Sequence, residues 1–272
     1  MTANEKDKAF TGSIPEVYDQ FLVPLIFEPY AVDLAQRLVS FDPKRTLETA
    51  AGTGVLTRAI MERLPAVDHV ATDLNQPMLD RAAARTKGKH LSWRQADALA
   101  LPFDDESFDA VVCQFGVMFF PDKVAGFKEA RRVLRRGQPF LFNAWDRIGK
   151  NEFVTVASEA LADMFPADPP RFMERTPHGY HDPDLIRRQL GEAGFVDVAI
   201  ELVSARSRAV SAYDAAFGYC QGSPWRGEIE ARGGPAGLQQ ATQRAADALA
   251  KRFGKGAVEG GIAALVVTAR AP

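Results

Sequence analysis

The sequence predicts an α/β protein with a doubly wound, Rossmann-like, mostly parallel sheet of seven strands. Between Arg45 and Trp145, short apolar runs alternate with helix-like segments, which is the pattern of right-handed βαβ units. The first run, TLETA, enters a helix through a turn with two glycines spaced by one residue. Two more strand-like runs in the second half of the chain bring the strands to seven.

The predicted strands differ in how apolar they are. Five lie in the first half, at 46–50, 69–73, 91–97, 108–115 and 138–145. The fourth, FDAVVCQF, is apolar enough to be covered on both faces, as a central parallel strand is. In the second half, 196–208 alternates like a half-exposed strand and 261–270 is a continuous apolar run.

Helices are expected between the strands. In NQPMLDRAAARTKGK, Asn75 is a candidate N-cap and Pro77 lies in the first turn. PDKVAGFKEARRVLRRG begins with Pro121 and ends in basic residues, which favour the last turn of a helix. Others are expected at 57–64, 151–165, 184–195, 211–221 and 238–253, with a Gly/Pro-rich break between the last two.

Composition narrows the classes of function. The formal net charge is −2, so no electrostatic footprint for nucleic acid or for an acidic membrane is expected. Cys113 and Cys220 are far apart, which argues against a disulfide framework or a metal site. The N-terminal MTANEKDKAF lacks the apolar core of a signal peptide, and no apolar run reaches the length of a membrane span. A cytoplasmic protein with no membrane partner is therefore predicted.

The glycine turn is the expected ligand site. In doubly wound sheets, ligands bind beyond the carboxyl ends of the strands. Gly52 and Gly54 let the backbone bend tightly and approach a ligand closely, and Asp73 ends the second strand about twenty residues later, where a carboxylate can accept both hydroxyls of a ribose. The alternative is a tight strand-to-helix turn followed by a solvated Asp.

Two nucleoside cofactors compete for this turn. A dinucleotide fingerprint needs a third glycine or alanine, and Thr57 occupies that position. Glu48, four residues before Gly52, would repel a pyrophosphate but would attract the positive amino and sulfonium groups of S-adenosylmethionine. The residues therefore favour S-adenosylmethionine, with a NAD(P)-dependent oxidoreductase as the less favoured alternative.

Four stretches taken together resemble a class I S-adenosylmethionine-dependent methyltransferase. They are LETAAGTGVLTRAI, VATDLNQPMLDRA, QADALALPFDDESFDAVVCQFGVMFF and FKEARRVLRRGQPFLFNAW. The most similar group is that of the ubiquinone/menaquinone-biosynthesis C-methyltransferases, and the resemblance covers about residues 14–145. Ala50 departs from it, since the family usually has glycine there.

The resemblance implies a set of cofactor contacts. Asp73 would bind the ribose hydroxyls, Asp97 the adenine amino group, and Gln114 would lie close to the methionyl part. The full set is Glu48, Ala50, Gly52, Gly54, Asp73, Leu74, Met78, Asp97, Ala98, Gln114 and Phe115. The alternative for Leu74 and Met78 is packing in the core, and the alternative for Asp97 is capping of a helix or loop. Gln114 could instead be a strand-end side chain whose hydrogen bonds are all made within the protein.

The same resemblance implies a single domain over 1–272 with three parts. Residues 1–40 would form an N-terminal helical lid, with Tyr18 contacting the cofactor or merely packing. Residues 41–146 would be the cofactor-binding core. The remainder, 147–272, would hold substrate-side helices, the last two strands and a helical insertion before the last strand, at about 211–260.

Catalysis would need few residues. In-line methyl transfer requires mainly alignment, but a thiol, hydroxyl or protonated amine acceptor must also lose a proton. His178 and His181 are the candidate bases, with a structural or solvent-exposed role as the alternative; His69 and His90 receive no role.

The predicted pocket walls are aromatic and suit a small, partly hydrophobic acceptor. The candidate wall residues are Phe119, Trp145, Tyr180 and Tyr219. A module that binds S-adenosylmethionine or S-adenosylhomocysteine without catalysis remains the alternative from another class.

Overall fold

A computed structural model describes residues 7, 10 and 12–272 of the chain. The predicted lid begins among residues 1–11, most of which lie outside this described part. The chain divides into two compact units. The sheet unit comprises Pro29–Trp145, Tyr180–Val203 and Ala264–Pro272, and the helical unit comprises the described part of Met1–Glu28 with Asp146–Gly179 and Ser204–Ala263.

The elements follow the predicted order, with all seven strands present. The chain begins with α1 (Ile14–Val17), a π-helix (Tyr18–Phe27) and α2 (Glu28–Val39). The elements that follow are β1 (Arg45–Glu48), α3 (Val55–Arg63), β2 (Asp68–Asp73), α4 (Gln76–Arg85), β3 (Leu91–Gln95), β4 (Ala110–Gln114), α5 (Lys123–Val133), β5 (Pro139–Trp145), α6 (Glu152–Met164), α7 (Phe172–Arg175), α8 (Pro183–Glu192), β6 (Val196–Ala209), α9 (Ala212–Gln221), α10 (Trp225–Phe253) and β7 (Val258–Arg270). Short 3₁₀ turns lie at Val117–Phe119 and Ile148–Lys150.

The strands form one seven-stranded sheet in the order β3-β2-β1-β4-β5-β7-β6. The pairs β1–β2, β1–β4, β2–β3 and β4–β5 are parallel, and β7 runs antiparallel to β5. Strand order reverses between β1 and β4, so the crevice beyond their carboxyl ends is the place where such sheets bind ligands. The predicted fold class is confirmed.

Each face of the sheet unit is covered by apolar side chains. On one face, helices α2 and α3 bury Leu34, Leu38 and Leu56 against strand residues that include Val112 and Leu141. The other face is aromatic: its rings, which stack or meet edge to face, are Phe127, Phe140, Phe142 and Phe195. Because both faces are covered, β4 and β5 are fully buried along their length.

The helical unit is made mostly of segments that precede β1, follow β5 or lie between β6 and β7 in the sequence. Helix α9 packs against the π-helix, and α10 packs against α6 and α9. Trp225 at the start of α10 is fully buried, and its indole N–H donates to the Pro170 carbonyl oxygen at 3.1 Å. Along the chain, helices α9 and α10 lie between β6 and β7, which is the position predicted for the helical insertion.

Three local features differ from the sequence expectation. The Gly/Pro-rich stretch before residue 238, where a break between two helices was expected, is helical from Trp225 onward. Within this helix, Gly234 has non-helical backbone angles, with a φ of +64°. The helix through the N-terminal segment includes a ten-residue π-helical stretch around Pro24, which has no N–H to donate. Asn75 occupies the N-cap position of α4, but its side chain makes no capping hydrogen bond. Among the described residues, none of the helices is long and apolar enough to cross a membrane.

Candidate cofactor site

The turn after β1 has an unusual backbone. Ala50, Gly52 and Gly54 all adopt positive φ angles, of +55°, +57° and +81°. Gly54 is the N-cap of α3, and a Cβ built on it would stand 2.9 Å from a Trp93 ring carbon and 3.2 Å from Ala82 Cβ. Glycine is therefore required at 54 by both backbone conformation and space.

Ala50 takes this left-handed conformation although it carries a methyl group. A Cβ built on Gly116 would lie only 2.4 Å from Ala50 Cβ, so the two backbones approach closely at the ends of β1 and β4. Phe115, next to Gly116, also has a positive φ, of +53°. Two non-glycine residues in this strained region lie at adjacent strand ends, a kind of strain that tends to cluster at functional sites.

Asp73 is held at the end of β2 by backbone donors. Its Oδ2 accepts the Gly52 N–H at 2.8 Å, and its Oδ1 accepts the Asn75 N–H at 2.8 Å. The side chain is 7% exposed, and burial raises the pKa of its carboxyl, with these hydrogen bonds opposing the rise and Glu48 adding to it. The Asn75 side-chain amide makes a third, longer contact with Oδ1 at 3.4 Å. Since an ionised carboxylate offers about four acceptor positions, acceptor capacity remains for a ligand hydroxyl.

Glu48 lies at the end of β1 in a buried polar group. Its Oε2 accepts a hydrogen bond from the Thr57 hydroxyl at 2.6 Å and lies 3.0 Å from Nε2 of His69. The Nδ1 of His69 is in turn 2.7 Å from the Thr46 hydroxyl. Both contacts of Glu48 use the same oxygen, so they fix the orientation of the carboxylate at the carboxyl edge of the sheet.

The chain resembles proteins of one family along most of its length. A family model described as "Methyltransferase domain" matches residues 47–142. A demethylmenaquinone methyltransferase of Deinococcus radiodurans is 42% identical over 105 residues, which are 38% of this chain and 44% of that protein. A ubiquinone/menaquinone biosynthesis C-methyltransferase of Paracoccus denitrificans is 31% identical over 221 residues, 71% of this chain and 86% of that protein. The chain belongs to the class I S-adenosylmethionine-dependent methyltransferases.

Structural similarity agrees with this family. The structure of Haemonchus contortus phosphoethanolamine N-methyltransferase 2, in complex with phosphomonomethylethanolamine and S-adenosylhomocysteine, has a TM-score of 0.61 at 15% identity. The similarity covers 100% of this chain and 61% of that one, and at this identity it shows the fold alone. Compared with the relatives that match at 42% and 43% identity, the methyltransferase chain spans a little under half of their length.

The residues at the β1 turn fit the methyltransferase cofactor. Asp73 presents an oriented carboxylate for a ribose, and the glycine turn leaves the backbone uncovered beside it. Glu48 supplies a buried carboxylate of the sign that suits a cationic ligand. The donor and acceptor set therefore matches S-adenosylmethionine better than a pyrophosphate-containing dinucleotide.

The remaining predicted cofactor residues of the methyltransferase have mixed surroundings. Leu74 is 46% exposed and Met78 is buried at 3%. Asp97 is exposed, and its Oδ1 accepts the Leu99 N–H at 2.9 Å, with Ala98 half-buried inside this small turn. Gln114 ends β4, nearly buried and in register with Asn143. Their cofactor roles remain predictions.

Phe115 and Trp145 form an aromatic stack at the ends of β4 and β5. Their ring centroids are 3.9 Å apart with an interplanar angle of 11°, and Tyr30 meets both rings edge to face at 5.4 Å. The Tyr30 hydroxyl donates to the Val203 carbonyl oxygen at 3.1 Å. Phe115 and Trp145 are each 4% exposed, so both rings are packed into this aromatic cluster.

Tyr180 and His181, also in the sheet unit, have contrasting surroundings. The Tyr180 hydroxyl donates to Gln189 at 2.6 Å, its ring lies 5.2 Å from the Lys123 ammonium, and burial raises the pKa of the phenol. His181 is exposed, whereas Phe119 is half-buried in the 3₁₀ turn after β4.

The helical unit holds the other three predicted residues. Tyr18 packs between Phe10 and Phe27, with ring centroids at 5.8 and 5.1 Å. Tyr219 is 3% exposed in α9. His178 is 6% exposed, and its Nδ1 lies 2.8 Å from the carbonyl oxygen of Asp146.

Sequence reasoning missed the partners of Glu48. On the sequence alone, His69 has no assigned role, and Thr57 stands out only as the residue that departs from the dinucleotide fingerprint. A signal was present, because Thr46, Glu48 and His69 are polar residues inside apolar strands, and buried polar side chains need partners.

Proposed function

We propose that this methyltransferase transfers the methyl group of S-adenosylmethionine to a small, partly hydrophobic acceptor by in-line displacement. The sulfonium supplies the reactive methyl group. The observation that carries the proposal is the Asp73 carboxylate, fixed by the Gly52 and Asn75 backbone N–H groups beside a glycine turn. The protein's part is to bind the cofactor, to align the acceptor and to exclude water.

A small molecule is favoured over a macromolecule as acceptor. The aromatic side chains at the ends of β4 and β5 supply apolar surface, and the net charge of −2 provides no overall positive charge for attracting nucleic acid. The two relatives named above methylate, by their names, intermediates of quinone biosynthesis. Phenols and quinols are therefore the first acceptor classes to test. We also propose a cytoplasmic location for the protein.

For acceptors that must lose a proton, His178 is the better candidate base. A carbonyl oxygen can only accept, so the contact with Asp146 requires Nδ1 of His178 to carry a proton. In the neutral imidazole, Nε2 then holds the lone pair that a general base needs. Asp146 directly follows Trp145, the last residue of β5. His181, the other candidate, is exposed.

The substitution His178→Gln should lower kcat for a hydroxyl or thiol acceptor by about 10²-fold or more and leave S-adenosylmethionine affinity within about twofold. The matched control is His90→Gln, at an exposed histidine with no assigned role, which should change neither quantity. A kcat equal to that of the wild type in His178→Gln, over the full pH range of activity, would remove His178 from the mechanism.

Turnover of labelled S-adenosylmethionine with phenols, quinols, amines and thiols tests the proposal as a whole. Label should appear in at least one acceptor class, and Asp73→Ala should weaken that activity through the apparent affinity for the cofactor. Tight binding with no transfer to any acceptor would instead support a non-catalytic module that binds S-adenosylmethionine or S-adenosylhomocysteine.

A further inference from the structure

The pair formed by Glu48 and His69 has a feature that the proposed function does not use. Both side chains are almost completely buried, at 1% and 0% exposure, and the Nε2–Oε2 distance is 3.0 Å. Because an ionised carboxylate only accepts, Nε2 of His69 is the donor to Glu48. The histidine therefore has one fixed proton, and its charge depends on whether Nδ1 carries a second one.

The Thr46 hydroxyl can satisfy Nδ1 in either state. When His69 is neutral, the hydroxyl donates to the Nδ1 lone pair across the 2.7 Å contact. When His69 is an imidazolium, Nδ1–H donates to the same oxygen after the hydroxyl rotates. A buried polar group without a partner is costly, and this arrangement leaves no such group in either charge state.

Strands β2 and β4 each carry an ionisable side chain near the pair. Asp73 on β2 and Cys113 on β4 both feel the charge of Glu48, which raises the pKa of each in addition to the larger effect of burial. Helix α3 contributes the neutral Thr57, while its Arg58 donates to the Thr53 carbonyl oxygen. On the β3 side, the backbone N–H of His69 donates to the His90 carbonyl oxygen. His69 is the side chain in hydrogen-bonding contact with Glu48 that can carry a positive charge.

We propose that His69 is a positioning residue that balances Glu48 with a proton and releases that proton to solvent when S-adenosylmethionine binds. This rests on the proposed function, since it places the positive methionyl end of the cofactor near Glu48. Without the ligand, an imidazolium compensates the buried carboxylate. With the ligand, a second positive charge beside Glu48 repels the imidazolium, so one proton leaves Nδ1 for the buffer and His69 remains neutral.

The number of protons released on binding should differ between the cofactor and its product. S-adenosylhomocysteine has a neutral thioether in place of the sulfonium, so it repels an imidazolium less and should release less of a proton. Linkage then requires that acid weaken S-adenosylmethionine binding more than S-adenosylhomocysteine binding. The ratio of the two dissociation constants should rise by up to tenfold per pH unit on the acid side of the titration. Product inhibition would grow correspondingly as the pH falls.

Calorimetric titrations between pH 6 and pH 8.5, in buffers of different ionisation enthalpy, test the inference. For the wild type, up to one proton should be released with S-adenosylmethionine and fewer with S-adenosylhomocysteine. In His69→Gln, an amide N–H can still reach Glu48 but cannot take a second proton, so the pH dependence of the affinity ratio should be lost. His90→Gln, at an exposed histidine outside the pair, should behave as the wild type does.

A second variant covers the case in which His69→Gln does not fold. Thr46→Val keeps the shape of the side chain but removes the hydroxyl, so an imidazolium Nδ1–H would have no partner. His69 should then stay neutral, and proton release should fall while cofactor binding persists. A pH dependence equal to the wild-type one in either folded variant, or no proton release by the wild type, would overturn the inference. Absence of binding at every pH would instead contradict the proposed function.

Discussion

At the scale of single residues, the site depends on side chains whose orientation is set by the backbone. Asp73 accepts one N–H from the β1 turn and one from the start of α4, so its carboxylate is fixed before any ligand arrives. The sequence spacing was enough to predict the position of this carboxylate, because the second strand of such sheets ends about twenty residues after the turn. It could not predict the Glu48–His69–Thr46 contacts, which depend on strand register.

Replacing Asp73 tests the ribose assignment. Asp73→Ala removes an ionised acceptor, and the loss of a charged hydrogen bond should weaken S-adenosylmethionine binding by about 1.5–3 kcal/mol, or roughly tenfold or more. Calorimetry measures this directly. Asp68→Ala is the control, because Asp68 lies at the opposite end of β2 and pairs with Arg45 on the surface. Equal affinities for the two variants would contradict the assignment.

Gly54 offers a test of the turn itself. Gly54→Ala must accept a φ of +81° and a Cβ 2.9 Å from the Trp93 ring, so we expect a loss of about 2–4 kcal/mol in the free energy of unfolding. Urea denaturation measures it. Gly149→Ala, where a Cβ meets nothing within 4 Å, should change stability by less than about 1 kcal/mol. A loss in Gly54→Ala no larger than in the control would show that the turn is not built as described.

At the scale of elements, helix ends show what local sequence can predict. Asp122 caps α5, since its side chain accepts the Ala125 N–H at 2.9 Å. Asn75 was an equally plausible cap by residue type, yet in the structure its Nδ2 lies 3.4 Å from Asp73. Local propensity identifies the residue that precedes a helix, but a neighbouring strand end can redirect its side chain.

The contrast between the two helices is measurable. Asp122→Ala should lower the free energy of unfolding by about 1 kcal/mol, the usual cost of a lost N-cap. Asn75→Ala should cost less, because no capping hydrogen bond is removed. Chemical denaturation of both variants provides the comparison. The reverse order of stabilities would mean that Asn75, not Asp122, acts as the cap.

The least predictable elements are those whose form depends on packing. The sequence around Gly233 and Pro235 reads as a break, but only Gly234 leaves the helical region, because Trp225 and Ile229 are fully buried and hold the preceding turns in place. The π-helical stretch around Pro24 was likewise unforeseen, since apolar periodicity does not separate it from an α-helix.

At the scale of the whole molecule, the sheet was predictable and the acceptor site was not. The mostly apolar runs FDAVVCQF and QPFLFNAW contain Ala110–Gln114 and Pro139–Trp145, which are buried along their whole length, so their nature as strands is encoded locally. Apart from Trp145, which ends β5, the acceptor-side candidates lie on loops and helices whose packing the strand pattern does not specify. Their roles, including that of Tyr219, therefore remain predictions, as does the cofactor contact of Tyr18.

Global stability should depend on an ion pair within α5 whose two side chains also form hydrogen bonds with the loop before β4. The Arg132 guanidinium lowers the pKa of Glu129, which also accepts the Leu101 N–H at 2.8 Å. Because the folded pKa is below the ordinary Glu value of about 4.3, this stabilisation is present above that pH and is lost as the pH falls through the lowered value.

The corresponding variant is Glu129→Gln. It should be less stable than the wild type at pH 7 by about 1–3 kcal/mol, and the difference should shrink as the pH is lowered toward 3. Thermal unfolding against pH measures the difference, and Glu159→Gln, at an exposed position of α6, should show no such convergence. A gap that stays constant down to pH 3 would contradict the role of the Glu129 charge.

The most direct test of the central claim is a crystal structure of the protein with S-adenosylhomocysteine. The account predicts both ribose hydroxyls within hydrogen-bonding distance of the Asp73 oxygens, at about 2.5–3.0 Å, with the methionyl end beside Glu48. Density for the ligand elsewhere on the molecule, or a ribose that does not touch Asp73, would contradict it.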